Sequence, residues 1–279
     1  MNQSEAWPFA IETIKQANHI LILTGAGISA SSGIPTFRDR GGLWNEFTPA
    51  RFATWPGLLI SLVLTPKKVV QFLIGVLEPI AQAKPNAAHN AIHKLEDVKK
   101  VTIVTQNIDR LHQRAGSTNV VELHGTLFEV IDIQSGQVST LSAGELQNIV
   151  QGLHKLASQN YVLPKLLHTI QPLFSISLKG IRIPNVILFG QPLNTALYEA
   201  ACIAASECDC MFVVGTSGTV FPAANLKHIA KQAGARVFEI NPTHIIELNS
   251  TQTSTTIHLT GLAEQILPEL VEKATQNKR

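Results

Sequence analysis

Short runs of branched apolar residues recur along the chain, each bounded by turn residues. Within a run the apolar positions are continuous and do not alternate with polar ones, a pattern typical of strands buried on both faces of a sheet. The pattern predicts strands at 20–24, 101–105, 120–123, 186–189, 211–214 and 237–240.

Stretches with helical periodicity separate these runs. Their apolar residues recur three or four positions apart, as on one face of an amphipathic helix. Strands that alternate with helices indicate a parallel sheet covered by helices on both faces. The expected fold is therefore α/β, a Rossmann-like doubly wound parallel sheet. The predicted helices are 5–18, 86–97, 194–206, 223–233 and 261–274.

Two stretches interrupt the alternation and predict a smaller module. One holds aromatics, prolines and apolar helical runs; the other begins with a possible hairpin at 128–133 and continues with helical patterns at 143–158 and 163–170. We expect these insertions to pack together as a mainly helical module, with a crevice between it and the sheet. The predicted domains are 1–38 plus 85–126 plus 183–279 for the Rossmann-like part, and 39–84 plus 127–182 for the module.

Composition narrows the class of protein. Charged residues make up 15% of the 279 residues and the formal net charge is +2, which argues against nucleic-acid binding through clustered Lys and Arg. Three cysteines cannot build a disulfide framework, so Cys208 and Cys210 are expected as buried thiols in a reducing compartment. The apolar run 58–64 is too short to span a membrane, and no secretory signal is visible. We expect a soluble, intracellular, cytoplasmic protein, and the oligomeric state stays open.

A glycine-rich loop follows the first predicted strand directly. Gly25, Gly27 and Ala30 match the G-x-G-x-x-A dinucleotide fingerprint, in which glycines let backbone N–H groups approach a pyrophosphate. The alternative is a tight strand-to-helix turn without a ligand. A hydride-transferring enzyme would carry an acidic residue about 20 positions further on, at the end of a second strand. The segment 34–44 is a loop instead, which disfavours an ordinary dehydrogenase.

Polar residues follow several other predicted strands, where open α/β sheets bind ligands. Thr105 to Asp109 follow the second strand, His124 the third, 215–218 the strand at 211–214, and Asn241 the strand at 237–240. A histidine beside Asn and Asp suits a general base near neutral pH, although a lone histidine is more often structural.

Together these segments resemble the sirtuins, a family of NAD-dependent protein deacylases. The likeness is spread in order over most of the chain, and it favours the catalytic interpretation of His124. The matching segments are 25–29, 33–38, 42–44, 85–89, 105–109, His124-Gly125, Phe189-Gly190, 215–217, 222–224, Asn241 and 261–268.

The resemblance implies that NAD is a co-substrate: nicotinamide leaves, the acyl-lysine oxygen captures the ribose anomeric carbon, and the acyl group ends on the ribose. The implied partners are acyl-lysine proteins or peptides. The implied catalytic residues are His124 as the base on the ribose hydroxyls, Asn107 to orient ribose and water, and Asp109. The implied cofactor-binding residues are Gly25, Ala26, Gly27, Ser29, Phe37, Arg38, Gln106, Asn107, Ile108, Asp109, Gly215, Thr216, Ser217, Asn241 and Ala263. Val186, Ile187, Leu188, Phe189 and Gly190 would pair with the substrate backbone by strand addition.

The chain departs from the family in its metal ligands. Most members hold a structural zinc through two Cys-x-x-Cys pairs, yet residues 125–185 contain no cysteine. Structural zinc needs four ligands, and His154 and His168 are the only imidazoles in that stretch. We expect no zinc and no other metal.

Two further departures concern the acyl-lysine side. Gln191 stands where the family usually has Glu, a change expected to be mild. Leu73 and Val76 stand where desuccinylating relatives carry a Tyr and an Arg. An apolar lining cannot pair a carboxylate, so acetyl or a longer apolar acyl group is expected. An alternative of equal weight is that Leu73, Val76 and the run 58–64 form helix core or an oligomer contact.

Three functions are compatible with these residues. The leading one is an NAD-dependent lysine deacylase that releases nicotinamide and O-acyl-ADP-ribose. The second is an NAD-consuming ADP-ribosyltransferase or NAD hydrolase, since the departures lie on the acceptor side. The third is a non-catalytic NAD or ADP-ribose sensor, against which His124, Asn107 and Asp109 speak.

Overall fold

The computed structural model describes residues 3–36, 42–160, 162–177, 180–243 and 256–276. Within these ranges ten strands form two sheets. The strands are β1 His19–Thr24, β2 Lys100–Thr105, β3 Val120–Glu122, β4 Gly125–Asp132, β5 Val138–Thr140, β6 Ser175–Ser177, β7 Gly180–Val186, β8 Cys210–Val214, β9 Arg236–Asn241 and β10 Ile257–Thr260.

The described helices agree with the predicted ones to within two or three residues at each end. A 3₁₀ helix, Ala26–Ser32, follows β1. The α-helices are α1 Gln3–Gln16, α2 Leu43–Glu46, α3 Pro49–Phe52, α4 Trp55–Leu64, α5 Pro66–Gln82, α6 Ala87–Glu96, α7 Leu111–Ala115, α8 Ala143–Ala157, α9 Leu163–Thr169, α10 Thr195–Glu207, α11 Asn225–Gln232 and α12 Ala263–Thr275.

The larger sheet is parallel throughout, in the order β10-β9-β8-β1-β2-β3, which confirms the predicted Rossmann-like fold. Successive side chains of β1 point to opposite faces. Ile20 and Ile22 enter a core with α1, α6 and α12, whereas Leu21 and Leu23 enter a core with α10 and α11. Two covered faces explain why the four central positions of the strand, 20–23, are all apolar.

The smaller sheet is antiparallel, in the order β5-β4-β7-β6, and packs with α5, α8 and α9. The hairpin expected at 128–133 is present as β4 and β5. The sheet accompanies the predicted helices, so the module is less exclusively helical than expected.

The strand predicted at 186–189 is wrong in its place and extent. Only Val186 is in a strand: β7 ends there and pairs with β4 in the smaller sheet. Val186 packs against the core of that module, and a continuous apolar run fits either sheet. Strand β7 runs across the boundary that we expected between residues 182 and 183. The domain boundaries therefore stay a prediction.

The cysteines are unpaired, as expected. Cys208 and Cys210 are buried and Cys202 is partly buried. Burial raises the pKa of the Cys208 thiol to about 11, so this thiol is inert at neutral pH. In the described ranges, no helix combines the length and apolarity needed to cross a membrane.

Candidate active site

The predicted site residues gather at the carboxyl edge of the parallel sheet. Because all six strands run the same way, their carboxyl ends share one edge. The chain moves from β1 to β2 on one side and reaches β8 on the other, so the loops after β1 and β8 flank a topological switch point. Open α/β sheets bind ligands at such a point.

Glycines bring these two loops into backbone contact. Gly27 N–H donates to Gly215 O (2.8 Å), and Gly25 N–H donates to Val214 O (3.0 Å). A Cβ on Gly27 would lie 2.7 Å from Gly215 Cα, and a Cβ on Gly25 would lie 2.7 Å from Thr216 Cβ. Gly215 has a φ of +61°, and its Cβ would strike the Ile28 nitrogen. The fingerprint glycines therefore let the backbones of two parts of the site come into contact.

A buried hydrogen-bonded group supports the start of the 3₁₀ helix. Ser29 Oγ donates to Asp109 Oδ2 (2.7 Å), and Leu111 N–H donates to Asp109 Oδ1 (2.9 Å). Asn107 Nδ2 donates to Gly25 O (3.1 Å) and to Ser29 Oγ (3.2 Å). Burial raises the pKa of Asp109, while these donors oppose the rise. Ser29 and Asp109 are thus engaged within the protein, where they hold Asn107 at the strand ends.

The outer part of the site is linked through Thr216. Gln106 Nε2 donates to Thr216 Oγ1 (3.2 Å), and Asn241 Nδ2 donates to Thr216 O (3.2 Å). Ser217 shares a hydrogen bond with Thr219 (2.9 Å). Buried Ala263 begins α12 near these loops, since Gly261 N–H donates to Asn241 O (3.0 Å). The ends of β2, β8 and β9 therefore form one connected rim.

His124 has a defined tautomer. Its Nδ1 lies 3.0 Å from the carbonyl oxygen of Gln106. A carbonyl only accepts, so Nδ1 carries the proton and Nε2 carries a lone pair. Burial lowers the pKa of His124 below its ordinary value of 6.5, and the hydrogen bond to Gln106 opposes that shift. A neutral imidazole with a free lone pair on Nε2 is the form that a general base requires.

A second titratable group lies two residues before His124. Glu122 ends β3, and its Oε2 lies 3.8 Å from Arg110 Nε. Arg110 also pairs with Glu129, whose other oxygen accepts from Asn185 Nδ2 (2.8 Å). Burial raises the pKa of Glu122 to about 7, outweighing the opposite effect of Arg110.

The predicted substrate segment begins beside His124. Ile187 N–H donates to His124 O (2.9 Å) and Phe189 N–H donates to Ala53 O (2.8 Å). Leu188 N–H donates to Gln191 Oε1 (2.8 Å), which also accepts from Trp55 Nε1 (3.1 Å). The segment therefore connects His124 to the helices of the smaller module.

The structure does not bring every predicted residue to the edge. Phe37 and Arg38 lie outside the described residues. The side chain of Ile108 packs against the core of the smaller module, while its carbonyl accepts from Leu127 N–H (3.1 Å).

Sequence reasoning gave no role to a buried group beneath the site. Thr24 Oγ1 donates to Thr105 Oγ1 (2.9 Å) and so accepts from His112 Nε2 (3.0 Å), whose ring lies 4.9 Å from that of His89. Asn86 Nδ2 donates to Ile28 O (2.8 Å), which anchors the 3₁₀ helix. The capping box that Asn86 forms with His89 is a sequence signal for the start of α6, but it does not reveal this longer contact.

The fold and the site define an α/β protein with a dinucleotide fingerprint and a half-buried histidine at a strand end, and the fingerprint is followed by a loop and not by the second strand of a dehydrogenase. The Sir2 family model matches residues 25–222, and the chain belongs to the Sir2 family. Its co-substrate is NAD, and it is an NAD-dependent protein deacylase of the sirtuin type. This confirms the expected enzyme class.

Similar proteins agree over nearly the full length. NAD-dependent protein deacylase 2 of Pyrobaculum aerophilum is 37% identical over 269 residues, covering 96% of each chain. The NAD-dependent protein deacylase of Desulfosudis oleivorans is 35% identical, covering 98% of this chain and 97% of its own. Among solved structures, a Sir2 homologue–NAD complex has a TM-score of 0.72 at 32% identity, covering 96% of this chain and 93% of that one. A mutant Sir2 homologue with ADP ribose has a TM-score of 0.75 at 30% identity, covering 98% and 96%.

Proposed function

We propose that this deacylase removes acetyl or longer apolar acyl groups from protein lysines, with His124 as the general base. The observation that carries the proposal is the hydrogen bond from His124 Nδ1 to Gln106 O, which leaves Nε2 free to take a proton. NAD, when bound, supplies ADP-ribose as the acyl acceptor and nicotinamide as the leaving group.

The residues of the edge would divide the work. Asn107, held by Gly25 O and Ser29, is placed to orient the ribose and a water. Ile108 and Asp109 would hold the nicotinamide amide. Asp109 would do so through its backbone and through Ser29 and Leu111, which its carboxylate holds in place. Gly25, Ala26, Gly27 and Ser29 would line the phosphate side, with Phe37 and Arg38 over the nicotinamide. Gln106, Gly215, Thr216, Ser217, Asn241 and Ala263 would surround the adenosine half.

The acyl preference is supported by α5. Leu73 and Val76 are partly buried against the apolar core of the smaller module, with Phe72 and Leu77 beside them in that core. A carboxylate placed there would lose its hydration without a cationic partner, which is costly. Acetyl, myristoyl and succinyl peptides compared at equal concentration test this preference. Faster cleavage of the succinyl peptide would contradict it.

Product analysis tests the reaction itself. The protein is incubated with NAD and an acyl-lysine peptide, and the products are identified by mass spectrometry. O-acyl-ADP-ribose together with free nicotinamide is expected. Free ADP-ribose or ADP-ribosylated protein without loss of the acyl group would instead indicate a hydrolase or transferase, and unchanged NAD would indicate a sensor.

The smaller module would hold together without zinc. Among the described residues, no group of three or more His, Cys, Asp or Glu is placed to bind a metal ion. Leu146, Ile149 and Leu153 of α8 are buried in the core shared with α5, an apolar contact that can take the place of a metal. Elemental analysis should find no stoichiometric zinc, and a strong chelator should leave the melting temperature unchanged. About one zinc per chain would refute this.

A reducing, intracellular compartment fits the three unpaired cysteines. We therefore keep a cytoplasmic location as a proposal, which microscopy of the tagged protein in its own cell would test.

A further inference from the structure

Helix α4 presents an apolar face to solvent. Ile60 is 60% exposed, Val63 64% and Leu64 73%, and Leu59 beside them is 42% exposed. These positions are three and four residues apart, so their side chains share one face of the helix. Exposed apolar groups that are contiguous in this way mark an interaction surface more often than isolated ones do.

Ammonium groups border this face at its carboxyl end. Lys67 and Lys68 are exposed and begin α5 directly after α4. Lys67 Nζ donates to Asn160 Oδ1 (3.3 Å), and Lys165 Nζ donates to Gln159 Oε1 (2.6 Å). Because Gln159 and Asn160 are neighbours in the chain, these two contacts bring Lys165, with a third ammonium group, to the same end of the helix.

Charge is segregated around this face. The stretches 47–77 and 146–181 together contain six basic residues and no acidic residue, whereas the rest of the chain contains 16 basic and 20 acidic residues. Three acidic residues flank these stretches: Glu46 is exposed at the end of α2, whereas Glu78 and Glu145 have partners. Glu78 pairs with His154 (3.1 Å) in the last part of α5, and Glu145 accepts from Ser142 in the capping box of α8.

We propose that this face docks on an anionic lipid bilayer. Helix α4 lies in the plane of the interface with Ile60, Val63 and Leu64 among the lipid headgroups, while the three lysines contact lipid phosphates. An apolar face with a cationic border is complementary to such a surface. A second copy is disfavoured as the occupant, because it would present the same apolar and basic residues and so offer no opposite charge to the lysines.

Docking has a consequence for the reaction, and this part rests on the proposed function. Trp55, the first residue of α4, donates to Gln191 beside the proposed substrate segment. A docked molecule therefore holds that segment close to the lipid surface, which favours acylated proteins at a membrane as substrates. Vesicle binding needs no catalysis, so the experiment below is independent of the enzymatic assignment.

The test is co-sedimentation of the full chain with phosphatidylcholine vesicles, with and without phosphatidylserine. Binding is expected to the anionic vesicles and to weaken with added salt. The triple variant Ile60→Gln/Val63→Gln/Leu64→Gln and the double variant Lys67→Gln/Lys68→Gln should each lower the partition coefficient about tenfold or more.

Matched controls come from other surfaces. Ile203→Gln removes an isoleucine that is 57% exposed on α10, and Lys15→Gln/Lys94→Gln removes two exposed lysines. Both should bind like the wild type, and melting temperatures should show that every variant is folded. The proposal is overturned by equal binding to neutral and anionic vesicles, by wild-type binding of the α4 variant, or by equal losses in the controls. A dimer that the α4 variant converts to a monomer would overturn it as well.

Discussion

At the scale of single residues, the ring of the proposed base, His124, is oriented by one backbone carbonyl. Gln106 O accepts a hydrogen bond from His124 Nδ1–H. Gln106 is itself held by two hydrogen bonds: its N–H donates to Thr24 O (3.0 Å), and its side chain donates to Thr216. The orientation of the imidazole therefore depends on the ends of β1 and β8 as well as on β2.

Replacing the base should separate chemistry from binding. His124→Ala removes Nε2 but no group that holds the glycine loops, so deacylation should fall about 10²–10⁴-fold while NAD still binds. Mass spectrometry of the products and titration calorimetry with NAD measure the two effects. Full activity in the variant would exclude His124 as the base.

The acid side of the pH profile should report the buried imidazole. Burial lowers the pKa of His124, so the ring stays neutral, and therefore competent as a base, to a lower pH than an exposed histidine does. The acid limb of kcat/KM should lie below pH 6.5, measured with a peptide that has no other titrating group in this range. An acid limb at or above 6.5 contradicts the assigned environment.

At the scale of elements, the loops after β1 and β8 function as a unit because their backbones touch. In Gly27→Ala the new Cβ would meet Gly215 Cα at 2.7 Å and Gly215 O at 2.8 Å, and backbone cannot give way cheaply. We expect a loss of about 1–3 kcal/mol in unfolding free energy and NAD affinity weakened about tenfold. Urea unfolding and calorimetry measure both.

The control for this change is Gly144→Ala in α8, where a Cβ meets nothing within 4 Å. Removing a helical glycine there should raise stability by about 0.5–1 kcal/mol and leave NAD binding alone. Equal behaviour of the two variants would show that the contact between the loops is unimportant.

Gln191 joins the predicted substrate segment, 186–190, to α4 by accepting from Leu188 N–H and Trp55 Nε1 through one oxygen. Gln191→Ala should raise KM for the acyl-peptide several-fold with little change in kcat, because the segment loses its anchor while the base stays in place. Gln191→Glu keeps an acceptor oxygen and serves as the matched control, with near wild-type KM. Steady-state kinetics distinguish them, and an unchanged KM in the alanine variant would remove Gln191 from substrate positioning.

Sequence patterns predicted strands and helices well where the apolar residues formed a clear run or a clear helical repeat. Strand β1 is apolar at its four central positions, 20–23, on both faces, which gives a clear sequence signal. Strand β10 was missed, because Ile257 and Leu259 alternate with His258 and Thr260 and give a weak pattern. The strand predicted at 186–189 was misplaced, since apolarity does not distinguish a parallel from an antiparallel sheet.

At the scale of the whole molecule, the site depends on contacts that local sequence does not encode. The glycine fingerprint and the strand-end position of His124 were predictable, because parallel strands bring their carboxyl ends together. The approach of Gly25 and Gly27 to Gly215, and of Ser29 to Asp109, joins positions far apart in the chain. Only the folded sheet determines these distances.

The unfolding free energy of the whole protein should depend on pH through the ionisation of Glu122. Its pKa in the folded protein is about 7 against 4.5 unperturbed, so the folded protein retains a proton that the unfolded chain has released. The unfolding free energy is therefore highest below pH 4.5, where Glu122 is protonated in both states. It should fall by about 3 kcal/mol as the pH rises to 7. Glu122→Gln should remove this component and flatten the dependence of the unfolding free energy on pH.

Urea unfolding at several pH values measures the effect. Glu207→Gln, which alters an exposed carboxylate 3.8 Å from Lys100, should instead parallel the wild type. A Glu122→Gln curve that also parallels the wild type would mean that Glu122 ionises normally in the folded protein.

Charge is distributed unevenly along the chain, with six basic residues in 47–77 and 146–181 and an excess of four acidic residues elsewhere, although the formal net charge is +2. Such a molecule turns in the field of a charged surface before it touches it, and it presents its basic end first. At low ionic strength it should therefore be retained by a cation-exchange resin even when its net charge is near zero. Orientation before contact raises the fraction of encounters that lead to binding. The uneven distribution of a few lysines should therefore influence the rate of association as well as the site of binding.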